Sequence, residues 1–127
     1  MSADPLQGFL SGPGDYFIQV VGESSYQDAL ERICGGRTED GANEFVDAFL
    51  ILEDTNPNDR NAVRVDIGGM TVGYLTPHFA IQYRHRLVEA GYPRLVGSCR
   101  AHIRGGWQRG DQDRGHFGVW LDLPYDE

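Results

Sequence analysis

The chain has 127 residues, 40% hydrophobic and 24% charged, which suits one globular domain and excludes both two ordinary domains and a disordered tail. No apolar run nears the roughly 20 residues of a membrane span and no export-signal pattern opens the chain, so a cytoplasmic protein with no membrane partner is expected. The formal charge of −8, from 19 acids against 11 bases, argues against non-specific coating of duplex nucleic acid, which rests on many cationic contacts.

Residues 1–15 mix Pro, Gly, Ser and Asp and read as a flexible arm anchored by Phe9 and Leu10, ahead of a single domain over 16–123 and a short tail at 124–127. Tyr16–Val21 is β-branched and aromatic and suits a strand. Ser25 and Asp28 fit a capping box that opens a helix with Tyr26, Leu30 and Ile33 on one face, stopped by Gly35-Gly36. Phe45–Glu53 is a strongly apolar strand, expected to be covered on both faces for part of its length. After a turn at Asp54–Arg60, Ala62–Ile67 alternates cleanly, Gly68-Gly69 marks a hairpin, and Met70–Leu75 returns as its partner.

Thr76 as N-cap and Pro77 at the first position start a second helix with Ala80, Tyr83 and Leu87 inward. His78, Gln82, Arg84, His85, Arg86 and Glu89 read as its wet face, and Gly91 ends it. Arg94–Ile103 is a strand, Gly105–Gly115 a mobile loop, and His116–Leu123 the last strand. Short strands with two small helices favour a mainly β fold that curls its sheet into a small barrel.

Catalytic and metal patterns are missing from the sequence. Asp54, Asn56 and Asn58 imitate the start of a calcium loop, but Asp59 stands where glycine is needed and Val65 where glutamate is needed. The four histidines and two cysteines lack ligand spacing, and no nucleophile motif or phosphate loop is present. Neither an enzyme, nor a metal, nor a cofactor is therefore expected. Cys34 and Cys99 are expected to stay reduced.

All eleven bases are arginine, whose planar fork suits specific phosphate or carboxylate contacts. Arg100, His102 and Arg104 share one face of their strand, and His116 and Trp120 one face of the next. If those strands pair antiparallel, cations and aromatic rings interleave, a pattern that suits single-stranded nucleic acid. Trp107, Arg109 and Arg114, in the connecting loop, are placed to close over that face.

The run Glu53-x-x-Asn56-Pro57-x-Asp59-x-Asn61-Ala62-Val63-x-Val65, followed by Gly69-x-x-Val72-Gly73-Tyr74-Leu75, resembles the HIRAN domain. Val20-Val21-Gly22-Glu23-Ser24-Ser25-Tyr26-Gln27 fits that family's first strand and turn. The resemblance implies a small OB-like or SH3-like β-barrel that grips single-stranded DNA at its 3′ end, in proteins linked to DNA repair and remodelling. It implies that Asp59 takes the terminal hydroxyl, with Asn58, Ser24, Ser25, Tyr26 and Tyr74 around it. Asn58 replaces the family's usual tyrosine, Ser24-Ser25 an arginine–tyrosine pair, and Tyr74 a histidine, which implies weaker DNA binding than in the eukaryotic members. The other reading open at this point is a protein-interaction module whose acidic half docks a basic or DNA-processing partner.

Overall fold

Alternation of apolar and polar side chains sets most of the strands. In the computed structural model, which describes residues 6–125, they are β1 (Gln7–Phe9), β2 (Ile18–Gln19), β3 (Ala42–Leu52), β4 (Val63–Ile67), β5 (Met70–Tyr74), β6 (Val96–Gly105) and β7 (Phe117–Asp122). A 3-10 turn at Glu23–Tyr26 leads into α1 (Gln27–Ile33), and α2 spans Pro77–Glu89. The fold is mainly β with two short helices, and the sheet curls into a small barrel, as expected.

Neighbouring strands follow the order β2-β7-β6-β3-β4-β5, each pair antiparallel. The segment at β2 then changes partner. Ile18 and Gln19 pair with β7 and the Val20 amide donates to the Val119 carbonyl, whereas Val21 and Tyr74 of β5 exchange two hydrogen bonds of 2.8 and 2.9 Å. The two ends of the sheet therefore meet through one short stretch of chain. Gly73 permits that approach: a Cβ there would overlap the Val20 side chain and lie 2.6 Å from the Val21 carbonyl oxygen.

The barrel interior is filled by Val20, Leu50, Val63, Val65, Val72, Ile103, Val119 and Leu121, all fully buried. Leu30 of α1 and Phe79, Ala80, Tyr83 and Leu87 of α2 complete the core. Each such large apolar side chain contributes about 1.5–3 kcal/mol. Gly68 and Gly69, at φ 59° and 78°, form the two-residue β4–β5 turn. Thr76 caps α2 by accepting from the Phe79 amide at 3.2 Å. Both helices end alike: the amides of Gly36 and Tyr92 return to the carbonyls of Glu31 and Leu87, each just beyond a glycine at positive φ.

Several expectations need correction. Of the arm over 1–15, Met1–Pro5 lie outside the described residues, as do Asp126–Glu127 of the tail. Within the rest, Gln7–Phe9 pair in parallel with Val96–Ser98 of β6, and it is Leu10, not the exposed Phe9, that packs on the core. The strand expected over 16–21 is shorter, because Tyr16 adopts φ 53°. Ser25 and Asp28 form no capping box; the 3-10 turn starts from Gly22 in a left-handed conformation and no side chain caps it. β3 is not covered on its outer face, where Phe45 and Phe49 are exposed.

Candidate nucleic-acid interface

The turn between β3 and β4 is organised by its own polar residues. The Asn56 side-chain oxygen accepts from the amides of Asn58 and Asp59, and its amide group donates to Glu53 at 3.0 Å. Asp59 accepts from the Asn61 amide at 2.9 Å. Arg84, expected on a wet helix face, instead pins this turn to α2. It donates to the carbonyls of Asn61 and Ala62 and to Asp54 at 2.6 Å, and that last bond holds the Asp54 carboxyl below the usual carboxylate range.

Asp59 is half-buried and lines a hollow of about 260 Å3 with Val21, Gly22, Ala62, Leu75 and Pro77. Asn56 and Tyr74 separate this hollow from a broader cleft of about 660 Å3, lined also by Glu53, Asp54, Asn58, Arg64 and Arg94. Tyr74 is hydrogen-bonded to Glu53 and Tyr26; burial first, and then the bond to Glu53 and its charge, push the Tyr74 hydroxyl up to about 12. Arg64 is engaged by Asp66 at 2.9 and 3.1 Å and by Glu53 at 3.1 Å, and Arg94 lies 3.6 Å from Asp54. The arginines at the cleft therefore face carboxylates already. Ser24 and Ser25 are exposed on the 3-10 turn and line neither hollow.

The outer face of β3, β6 and β7 gathers the second set of residues. Phe45, His102 and Trp120 lie side by side across the three strands, and Asn43, Arg104 and Gly118 form the next row. His102 stacks on Phe45 with centroids 4.2 Å apart and planes 4° from parallel, and its Nε2 lies 2.6 Å from the Asn43 side-chain oxygen. The Arg104 guanidinium sits 3.8 Å above the Trp120 ring. That indole lies over Gly118, where a Cβ would come within 2.6 Å of it. Burial first, and then Arg104, lower the His102 pKa.

Arg100 takes a different part: it donates to Asp47 at 2.8 Å and does not line the pocket beside Trp120. His116 is exposed outside that pocket as well. Trp107, Arg109 and Arg114 do not close over the face. Trp107 bridges to Thr38 and donates to Asp113, Arg109 donates to the Glu39 carbonyl, and Arg114 approaches Glu31 of α1. The loop expected to be mobile is thereby held against residues 38–41.

Sequence reasoning missed Tyr16, Phe17, Phe45 and Asp122. Asp122 is the buried acid among the described residues, and its carboxylate accepts from the amides of Gly14 and Asp15 at 2.8 and 3.2 Å. It thus fixes the strap that sets Tyr16 edge-on to Phe45, centroids 5.3 Å apart. The period-2 pattern of β3 carried a signal for Phe45; nothing local marked Tyr16.

Among the described residues, no three His, Cys, Asp or Glu side chains cluster as metal ligands. Both thiols are free, and burial pushes Cys34 up to about 11 and Cys99 up to about 12, away from nucleophilic character. No described helix is long and apolar enough to cross a membrane. No family model, no curated protein and no solved structure matches the chain.

Proposed function

We propose that the protein is a non-catalytic, HIRAN-like module that binds single-stranded DNA and reads its 3′ end at the hollow beside Asp59. The observation that carries this reading is the place of the Asp59 carboxylate. It secures its own turn through the Asn61 amide, yet lines a hollow that Tyr74 lines as well. A terminal hydroxyl is a donor and an ionised carboxylate accepts strongly, so the chemistry matches. Arg64, Arg84 and Arg94 are engaged by carboxylates. Recognition in the hollow accordingly rests on the last nucleoside and not on phosphates, and weak binding is the expected regime.

Fluorescent single strands with a free or a phosphorylated 3′ end test it. The free end should bind more tightly, and Asp59→Asn, which keeps an acceptor for the Asn61 amide, should remove the preference. Equal binding of both strands, or none, defeats end reading.

The acid surplus in the lining of the two hollows favours a second reading, the docking of a basic DNA-processing partner: Glu53, Asp54 and Asp59 outnumber Arg64 and Arg94. Binding of an arginine-rich peptide that Asp59→Asn weakens, with no response to any strand, would select it.

A further inference from the structure

The β3–β6–β7 face holds a pocket of about 410 Å3 lined by Gly14, Asp15, Tyr16, Phe17, Phe45, His102, Arg104 and Trp120. It shares no residue with the hollow beside Asp59 or with the adjoining cleft. Phe45 and Ile51, which lines that cleft, are six residues apart on β3, roughly 20 Å at the rise of an antiparallel strand. We propose that this pocket is a separate site for one unpaired nucleobase of a single strand. The base stacks among Tyr16, Phe17 and Phe45, and Arg104 meets its phosphate.

Four observations carry the proposal. First, the rings are flat, clustered and wet: Phe17 is 75% and Phe45 49% exposed. Apolar surface gathered in this way marks a binding face, whereas scattered exposed rings mean nothing. Second, the cation of the site is available. Among the described residues no carboxylate lies within ion-pair distance of Arg104, whose guanidinium lies over the Trp120 ring, whereas Arg100 is taken by Asp47. Asp15 is the acid that lines the pocket against Arg104 and His102.

Third, the strap is built rather than draped. The buried Asp122 carboxylate anchors the amides of Gly14 and Asp15, and Tyr16 is held at φ 53°, a conformation that non-glycine residues seldom adopt. Fourth, the basic groups of the pocket oppose the other ligand that aromatic pockets take. A quaternary ammonium would meet the Arg104 guanidinium over Trp120 and the His102 imidazole stacked on Phe45, two basic groups. A base has no such conflict, because guanidinium planes and rings both stack on it. Paired bases keep their faces on one another, so the occupant is a single strand.

This inference rests on the nucleic-acid reading above, but not on Asp59. The test uses the full chain with Trp107→Phe, which leaves Trp120 as the sole indole, and follows its fluorescence during addition of a short oligothymidylate with a phosphorylated 3′ end. Quenching that saturates is expected. Phe45→Ala and Arg104→Ala, both at exposed positions, should each weaken it about fivefold or more with the circular dichroism unchanged. Unaltered affinity in both variants overturns the site whatever the end preference is. Binding of free-ended strands alone overturns it and leaves end reading standing. Silence toward every strand defeats both proposals. Quenching by choline in place of the oligonucleotide would reassign the pocket as a cation cage.

Discussion

His102 stands under two influences of the same sign. Burial disfavours its charged form, and the Arg104 guanidinium nearby repels a second positive charge, so its pKa falls below the ordinary 6.5. With the folded-state value depressed, the unfolded chain takes up the proton more readily. The stabilising contribution is complete above about 6.5 and is lost as pH falls toward the folded-state midpoint. An NMR titration of the ring should therefore give a midpoint under 6.5, and Arg104→Ala should move it up. A midpoint unchanged by that substitution would show that burial acts alone. An anion bound beside Arg104 acts in the opposite direction and raises the midpoint, so strand binding on this face tightens as pH drops. Asp59 and Arg84 show what a sequence reveals at this scale and what it hides. The bond from Asp59 to the Asn61 amide spans two residues and follows from turn chemistry alone. Arg84 reaches Asn61, Ala62 and Asp54 from 22 to 30 residues away, and spacing within its own helix could only place it on a polar face.

Among the elements, β2 has the least length and the most consequence, because β2 pairs with β7 and Val21, two residues beyond it, bridges to β5, which closes the sheet. Gly73 lies at that junction, where a methyl group would press on the Val20 side chain and the Val21 carbonyl. Gly73→Ala should therefore cost about 1–3 kcal/mol, seen as a Tm several degrees lower, while Gly69→Ala, where a Cβ meets nothing within 4 Å, costs only its backbone strain. Equal losses in the two variants would mean that the closing contact contributes little. The closure also explains which elements were legible. β4, β6 and β7 alternate over five or more residues, β5 follows from the Gly68-Gly69 hairpin, and all four stand nearly where the sequence puts them. β1 was not legible: its three residues lack a pattern of their own and are ordered by pairing with β6. The apolar richness of β3 read as burial on both sides, whereas its outer rings have no covering element, and that error hid the aromatic pocket. Whether a strand face is covered depends on what the rest of the chain lays over it, and no local pattern encodes that.

For the molecule as a whole, the charge of −8 sets how a nucleic acid can be held. A protein that neutralises several phosphates displaces as many counterions, and its affinity for single strands falls with salt by about 0.7 log units per contact for each tenfold increase. On the β3–β6–β7 face Arg104 is the arginine that no carboxylate among the described residues engages, since Arg100 is held by Asp47. One contact gives a slope near −0.7 on logarithmic axes. The acidic surface works against it: repulsion between the strand and the protein's net charge is screened as salt rises, which favours binding and flattens the curve further. Stacking, which carries about 1–3 kcal/mol per base, is left as the main source of affinity, and it is insensitive to salt. Titration of wild type with a single strand across a salt series should thus give a slope shallower than about −1, while Phe45→Ala lowers the affinity equally at every salt concentration. A slope steeper than about −2 would contradict this picture, because it needs more cations than Arg104 on this face, and Arg100 would have to leave Asp47 to supply one.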